Sequence, residues 1–254
     1  MQRKTSKMQQ PNKALGIIPA RYASTRFPGK PLVDIAGKSM VRRVYEQALQ
    51  AHALGKVIVA TDDDRIAEHV RSFGGNVLLT DGNHASGTDR CAEVAAKYPE
   101  YHAVVNIQGD EPFLDPEQID RVAHPLLAGE AGISTLAKQI TAKEELENPN
   151  VVKVVFGTRR QALYFSRYPI PFLRGQSLET GIEKGFFYKH IGLYGYTQPV
   201  LKEISRLPVS ALESLESLEQ LRWLEHGYTI QVAFTDLETQ GIDTPEDLER
   251  VLKG

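Results

Sequence analysis

A single cysteine, Cys91, stands in the 254 residues. One thiol excludes an intrachain disulfide framework and fits a reducing compartment. An excess of one charge is missing too. The formal net charge is −2, so neither a nucleic-acid surface nor a polybasic membrane face is expected. No window approaches the roughly 18 apolar residues that a membrane span needs. The opening stretch MQRKTSKMQQPNK lacks the apolar core of a secretory signal and reads as a disordered extension over 1–13. These absences predict a cytoplasmic protein. Two common phosphate loops are also absent. No Gly-x-Gly-x-x-Gly follows the first strand, and a P-loop would need glycine at Ser24 and serine or threonine at Pro31. There is no internal repeat and no low-complexity tract.

What is present belongs to an ordinary globular domain, 41% apolar and 24% charged. Short β-branched runs at 15–20, 56–62, 76–80 and 102–110 alternate with helical spacing at 40–51, 64–73 and 89–98. Such alternation predicts an α/β fold, a mostly parallel sheet covered on both faces, over 14–254 as one domain. The second half predicts antiparallel strands in NVVKVVF, ALYFSRYPIPF and KHIGLYGY, an insertion over about 155–195. Residues 210–227 predict one helix with a buried stripe of Leu212, Leu215, Leu218, Leu221 and Leu224. TIQVAF predicts a further strand. In DTPEDLERVLKG, Thr244 is placed as N-cap, Pro245 as the first helical residue and Asp247 as the capping echo.

Ligands in open α/β sheets sit beyond the carboxyl ends of strands, and two charged stretches fall there. GIIPARYASTRFPGKPL (16–32) puts Arg21, Arg26 and Lys30 in a loop stiffened by two prolines. Arg forks and a compact Lys suit a polyphosphate, and a solvated loop paired with carboxylates is the plain alternative. QGDEP puts Asp110 and Glu111 after a buried strand, where a carboxylate serves either a divalent cation or an ordinary turn. Asp243, at the start of the last helix, is equally a capping residue. Ser86 and Asp89 match a capping box, a site whose free amides also receive a phosphate or base. On the 210–227 helix, Glu213, Glu216 and Gln220 share a face, with Glu219 beside them. His190 is a lone histidine in a strand.

Taken in order, IIPARYASTRFPGKPL, VATDD, SGTDR, NIQGDEP, NPNVVKVV, ALYFSR, KHIGLYGY, LESLEQLRWLE and GIDTPEDLE resemble the 3-deoxy-manno-octulosonate (Kdo) cytidylyltransferase family over about 14–252. The resemblance implies a Rossmann-like nucleotidyltransferase fold, generally a homodimer with the antiparallel insertion at the subunit contact. It implies Mg²⁺-dependent transfer of CMP from CTP to Kdo, with release of pyrophosphate, for lipopolysaccharide assembly. By match of motifs, Arg21 and Lys30, with Arg26 assisting, would hold the triphosphate. Pro19 and Ala20 would lie against cytosine, with Ser86, Gly87 and Thr88 completing the nucleotide pocket and Gln108 beside it. Asp110 and Asp243 match the metal carboxylates. Gln108, Arg167, His190, Glu213, Glu219 and Gln220 match the sugar-acid side, Arg167 toward the carboxylate. Which of Glu213, Glu216 and Glu219 touches the sugar stays open. Ala211 stands where many relatives have proline, which would alter helix entry and not chemistry. A cytidylyltransferase for 8-amino-Kdo or another sugar acid, and a non-catalytic nucleotide-binding protein, are the other readings.

Overall fold

The computed structural model describes residues 13–23, 27–238 and 241–253. The extension through residue 12, and Arg26 with it, lie outside the described residues.

β1 (Ala14–Pro19) is buried along its length apart from its last residue. β4 (Leu54–Thr61) and β6 (Ala103–Asn106) flank it in parallel, and β5 (Val77–Leu79) pairs in parallel outside β4. A small hairpin, β2 (Asp34–Ile35) and β3 (Lys38–Ser39), leads into α1 (Met40–Ala48). α2 (Asp64–Ser72) and α3 (Gly87–Ala96) complete the first half.

Past β6 the chain adds α4 (Pro116–Leu127), β7 (Ile133–Gln139) and α5 (Lys143–Glu147). A hairpin of β8 (Lys153–Phe156) and β9 (Ala162–Ser166) and then α6 (Leu178–Glu183) follow. β10 (Tyr188–Thr197) runs antiparallel between β6 and β7. Next come α7 (Gln198–Ile204), α8 (Ala211–Glu216) and α9 (Glu219–Glu225). β11 (Ile230–Phe234) pairs in parallel with β7, and α10 (Pro245–Lys253) ends the described chain. The sheet order is β11-β7-β10-β6-β1-β4-β5, with β8 joined to β10 and to β9.

Both faces are covered, as continuous apolar strands require. Val44, Val70, Val122 and Leu126, from α1, α2 and α4, pack on one face. Cys91, Val94, Leu201 and Trp223, from α3, α7 and α9, pack on the other. Burial pushes the Cys91 thiol well up, so it serves as a small apolar side chain. At the last helix, Thr244 and Asp247 exchange backbone bonds ahead of Pro245 as expected.

Two differences from expectation have local causes. The 210–227 helix is two helices, broken at Ser217 (φ 52) and an extended Leu218. Leu215 is therefore 82% exposed and leaves the stripe, while Leu218 and Leu221 stay buried. β7 and α4 had no reading at all. β7 hides Ser134 and Thr135, whose hydroxyls bond the carbonyls of Val122 and Leu193, and α4 contains Pro125.

Candidate active site

The loop after β1 begins with Ala20, whose amide still bonds the Ala60 carbonyl at 2.9 Å. It ends in a tight turn at Lys30–Leu32 entered through Gly29. Glycine is required there: φ is +73°, and a Cβ would meet the Tyr22 ring at 3.3 Å. This stiff turn aims the Lys30 ammonium at Asp110 Oδ2 (2.8 Å) and Asp243 Oδ1 (3.2 Å). Asp110 follows β6 and Asp243 follows β11, so three distant segments meet beyond the strand ends. Gly109 lets the β6 loop close on β1, since a Cβ there would stand 2.7 Å from the Pro19 carbonyl oxygen.

Glu111 was singled out by the sequence only as a neighbour of Asp110. Its Oε2 is buried with no hydrogen-bond partner. Burial, then the nearby charges of Asp110 and Asp243, push its carboxyl up to about 7. Two carboxylates thus hold one ammonium, and a third carboxyl lies buried close to both of them. Among the described residues no cluster of three or more metal-ligating side chains converges on one point. Two carboxylates are nevertheless the usual protein share of a Mg²⁺ site that also binds phosphates, and the orphaned Glu111 oxygen marks the site as short of positive charge.

On the expected nucleotide side, Ser86 caps α3 in a capping box with Asp89. Gly87 lies near Pro19, since a Cβ on it would stand 3.6 Å from the proline ring. The Arg21 guanidinium donates to the His84 carbonyl just upstream. Arg90, fully buried behind this loop, pairs with Asp62 at 3.3 Å and donates to Thr80. Thr88 donates to Glu219 Oε2 at 2.9 Å. Burial raises the Glu219 carboxyl, and hydrogen bonds from Thr88 and Ser86 offset only part of that. Glu219 therefore ties α3 to α9.

A cavity of about 520 Å³ opens beside Asp110 and Asp243. Gln108, His190 and Gln220 line it, together with Asn150, Lys189 and Tyr194, which the sequence did not single out. Gln108 is held by its bond to the Gly192 carbonyl at 3.0 Å. His190 packs against Phe165 and Tyr194 and bonds the Thr135 hydroxyl at 2.9 Å. Burial pulls its pKa down to about 3, so the ring is neutral at physiological pH. Lys189 is occupied by Glu145 and Glu238.

Four sugar-side candidates, Arg167, Glu213, Glu216 and Glu219, are not in this lining. Glu213 accepts both arms of Arg222, at 2.6 and 2.5 Å. Burial would raise its carboxyl, and the Arg222 contact outweighs that and holds it low. Glu216 accepts from the Ser166 hydroxyl and the Arg167 amide. The Arg167 guanidinium donates to the carbonyls of Glu216, Pro149 and Ser217. The cause is the break at Ser217, which turns the exposed carbonyls of α8 toward Arg167 and separates Glu213 and Glu216 from Gln220.

The chain was compared with known proteins. The cytidylyltransferase family matches residues 15–231. A 3-deoxy-manno-octulosonate cytidylyltransferase of Parabacteroides distasonis is 54% identical over 245 residues, 94% of this chain and 97% of that protein. Its namesake in Bacteroides thetaiotaomicron is 54% identical over 241 residues, 93% and 96% of the two chains. A solved structure of CMP:2-keto-3-deoxy-manno-octonic acid synthetase complexed with CTP shares 44% identity and a TM-score of 0.87, covering 95% of this chain and 97% of that one. The fold is the Rossmann-like nucleotidyltransferase fold with an antiparallel insertion.

Proposed function

We propose a reaction for this chain from the family to which it belongs, the 3-deoxy-manno-octulosonate cytidylyltransferases: CMP passes from CTP to the anomeric hydroxyl of Kdo, and pyrophosphate leaves. The observation that carries it is Lys30 held between Asp110 and Asp243, which line a cavity that Gln108, His190 and Gln220 also line. A new bond forms between the sugar oxygen and the α-phosphorus while the bond to pyrophosphate breaks. No protein nucleophile is needed, so positioning and fixed charge do the work.

Lys30 and Arg21 hold the triphosphate, with Arg26 assisting. Pro19 and Ala20 lie against cytosine, and the hydroxyls and amides of Ser86, Gly87 and Thr88 complete that pocket. Gln108, His190 and Gln220 orient the sugar acid, and Glu219 supports Thr88 from the sugar side. Asp110 and Asp243 are the residues that would hold Mg²⁺, which when bound would neutralise phosphate charge. Apolar side chains left exposed around the β8–β9 hairpin and the segment after it, Leu163, Tyr168, Phe172 and Phe186, support a second copy of the chain as partner. CTP as donor supports a cytoplasmic site of action, and the product serves lipopolysaccharide assembly. No helix among the described residues is long and apolar enough to cross a membrane.

The test is pyrophosphate release from CTP and Mg²⁺ with Kdo, its 8-amino analogue and N-acetylneuraminate offered separately. Release with Kdo at the highest kcat/KM is expected. A preference for another acid would reassign the cavity, and release with none would sink the reaction.

A further inference from the structure

Lys153, in β8, has no exposed surface. Its neighbours Val151, Val152, Val154 and Val155 form an apolar run in which an ammonium is out of place. Burying an ammonium costs free energy unless every proton finds an acceptor. Here the Nζ atom donates to the main-chain carbonyls of Asn148 (3.0 Å), Val151 (2.6 Å) and Arg167. Three protons meet three acceptors. Burial lowers the Lys153 pKa, and the negative charge of Glu216 opposes that. A methionine would fill the same space at no electrostatic cost, so packing does not account for the lysine. An apolar side chain would not pin two separate segments through their carbonyls.

Those segments are the turn at 148–152 and the end of β9. The turn presents Asn150, Val151 and Val152 to the cavity beside Asp110. Arg167 reaches the same turn through the Pro149 carbonyl at 3.0 Å. Glu216 closes the cluster by accepting from the Arg167 amide at 2.9 Å and the Ser166 hydroxyl at 2.7 Å. We infer that Lys153 is a positioning residue for the sugar-acid cavity, fixing its 148–152 wall through three carbonyls, with Arg167 and Glu216 in the same buckle. This rests on the transfer to a sugar acid proposed above. It touches neither the nucleotide loop nor the paired aspartates, so its effect is confined to one substrate.

Steady-state kinetics of full-length Lys153→Met and Glu216→Gln, with CTP and Kdo varied separately, test it. The KM for Kdo rises about tenfold or more in Lys153→Met, the range for losing hydrogen bonds to a charged group, and by a smaller factor in Glu216→Gln. The KM for CTP stays within about twofold, because uniform damage to the fold would move both constants. An unchanged KM for Kdo, or equal rises for both substrates, overturns the inference. If Lys153→Met shows no cooperative thermal transition, Glu216→Gln decides by the same criterion. Wild-type protein assayed with all three acids is the control: if it prefers another acid, the proposed substrate fails and the split is read on the preferred one. Wild-type protein inactive with every acid overturns the reaction and this inference together.

Discussion

The nucleotide side and the sugar side of this molecule use charge in opposite ways. On the nucleotide side, cations and carboxylates meet at strand ends and face the mouth of the site, as Lys30, Asp110 and Asp243 do. On the sugar side, Lys153 and Arg167 donate to main-chain carbonyls, Glu216 accepts from Ser166 and the Arg167 amide, Glu213 pairs with Arg222, and Gln108, a neutral His190 and Gln220 are among the groups that meet the cavity. The difference follows from the ligands proposed. A triphosphate is met by charge, whereas a polyhydroxy acid needs a shaped wall of donors and acceptors. Charges buried in that wall hold its shape.

The comparison breaks first at the aspartates. Asp110→Ala should cut pyrophosphate release by about 10³-fold with the circular dichroism unchanged, the scale of losing a principal electrostatic group at a transition state. Near-normal turnover would remove the metal assignment. Glu213→Ala should act on stability, because it strands Arg222 in a pair whose side chains are only 12% and 13% exposed. A loss of roughly 1–3 kcal/mol in urea unfolding is expected, below the full cost of breaking a wholly buried pair. An unchanged midpoint would show Glu213 to be free for another role.

His190 sharpens the comparison through pH. Its folded pKa of about 3 lies below the ordinary 6.5, so between those values the unfolded chain binds the extra proton. Stability from this group is present above pH 6.5 and is lost as pH falls toward 3. His190→Gln should therefore shrink the difference in unfolding free energy between pH 7 and pH 5 by roughly 2 kcal/mol. An identical difference in both proteins would contradict the neutral ring. The smallest effect is Leu215→Ala, expected within about 0.5 kcal/mol of wild type by thermal unfolding because the side chain is exposed. A continuous helix with Leu215 in the core would lose about 2–5 kcal/mol instead.

These regions also differed in how far the sequence announced them. β1, β4 and β6 were legible because both faces are covered and their runs are nearly all apolar, and the edge strand β5 because its run is apolar as well. The first loop and Asp110 were legible because strand ends place such residues at a common edge, and the structure brings Lys30, Asp110 and Asp243 together. Leucines at three-residue spacing suggested one helix, yet Ser217 takes a left-handed conformation that no glycine advertised. The partners of Arg167 and Glu216 depend on that break, which leucine spacing does not show. Lys153 did carry a signal, a lone cation inside a valine run, but only the fold shows which carbonyls it holds.

The two partners of Lys30 arrive far apart in time. Asp110 is 80 residues downstream and Asp243 is 213 residues downstream. At ~5–20 residues per second, a ribosome needs roughly 10–40 s between making the lysine and making its second aspartate. The growing chain can pair β1 with β4 and β6 long before then, but Lys30 lacks its second partner until Asp243 has been made. On the function proposed, catalytic competence thus comes after the frame that holds it.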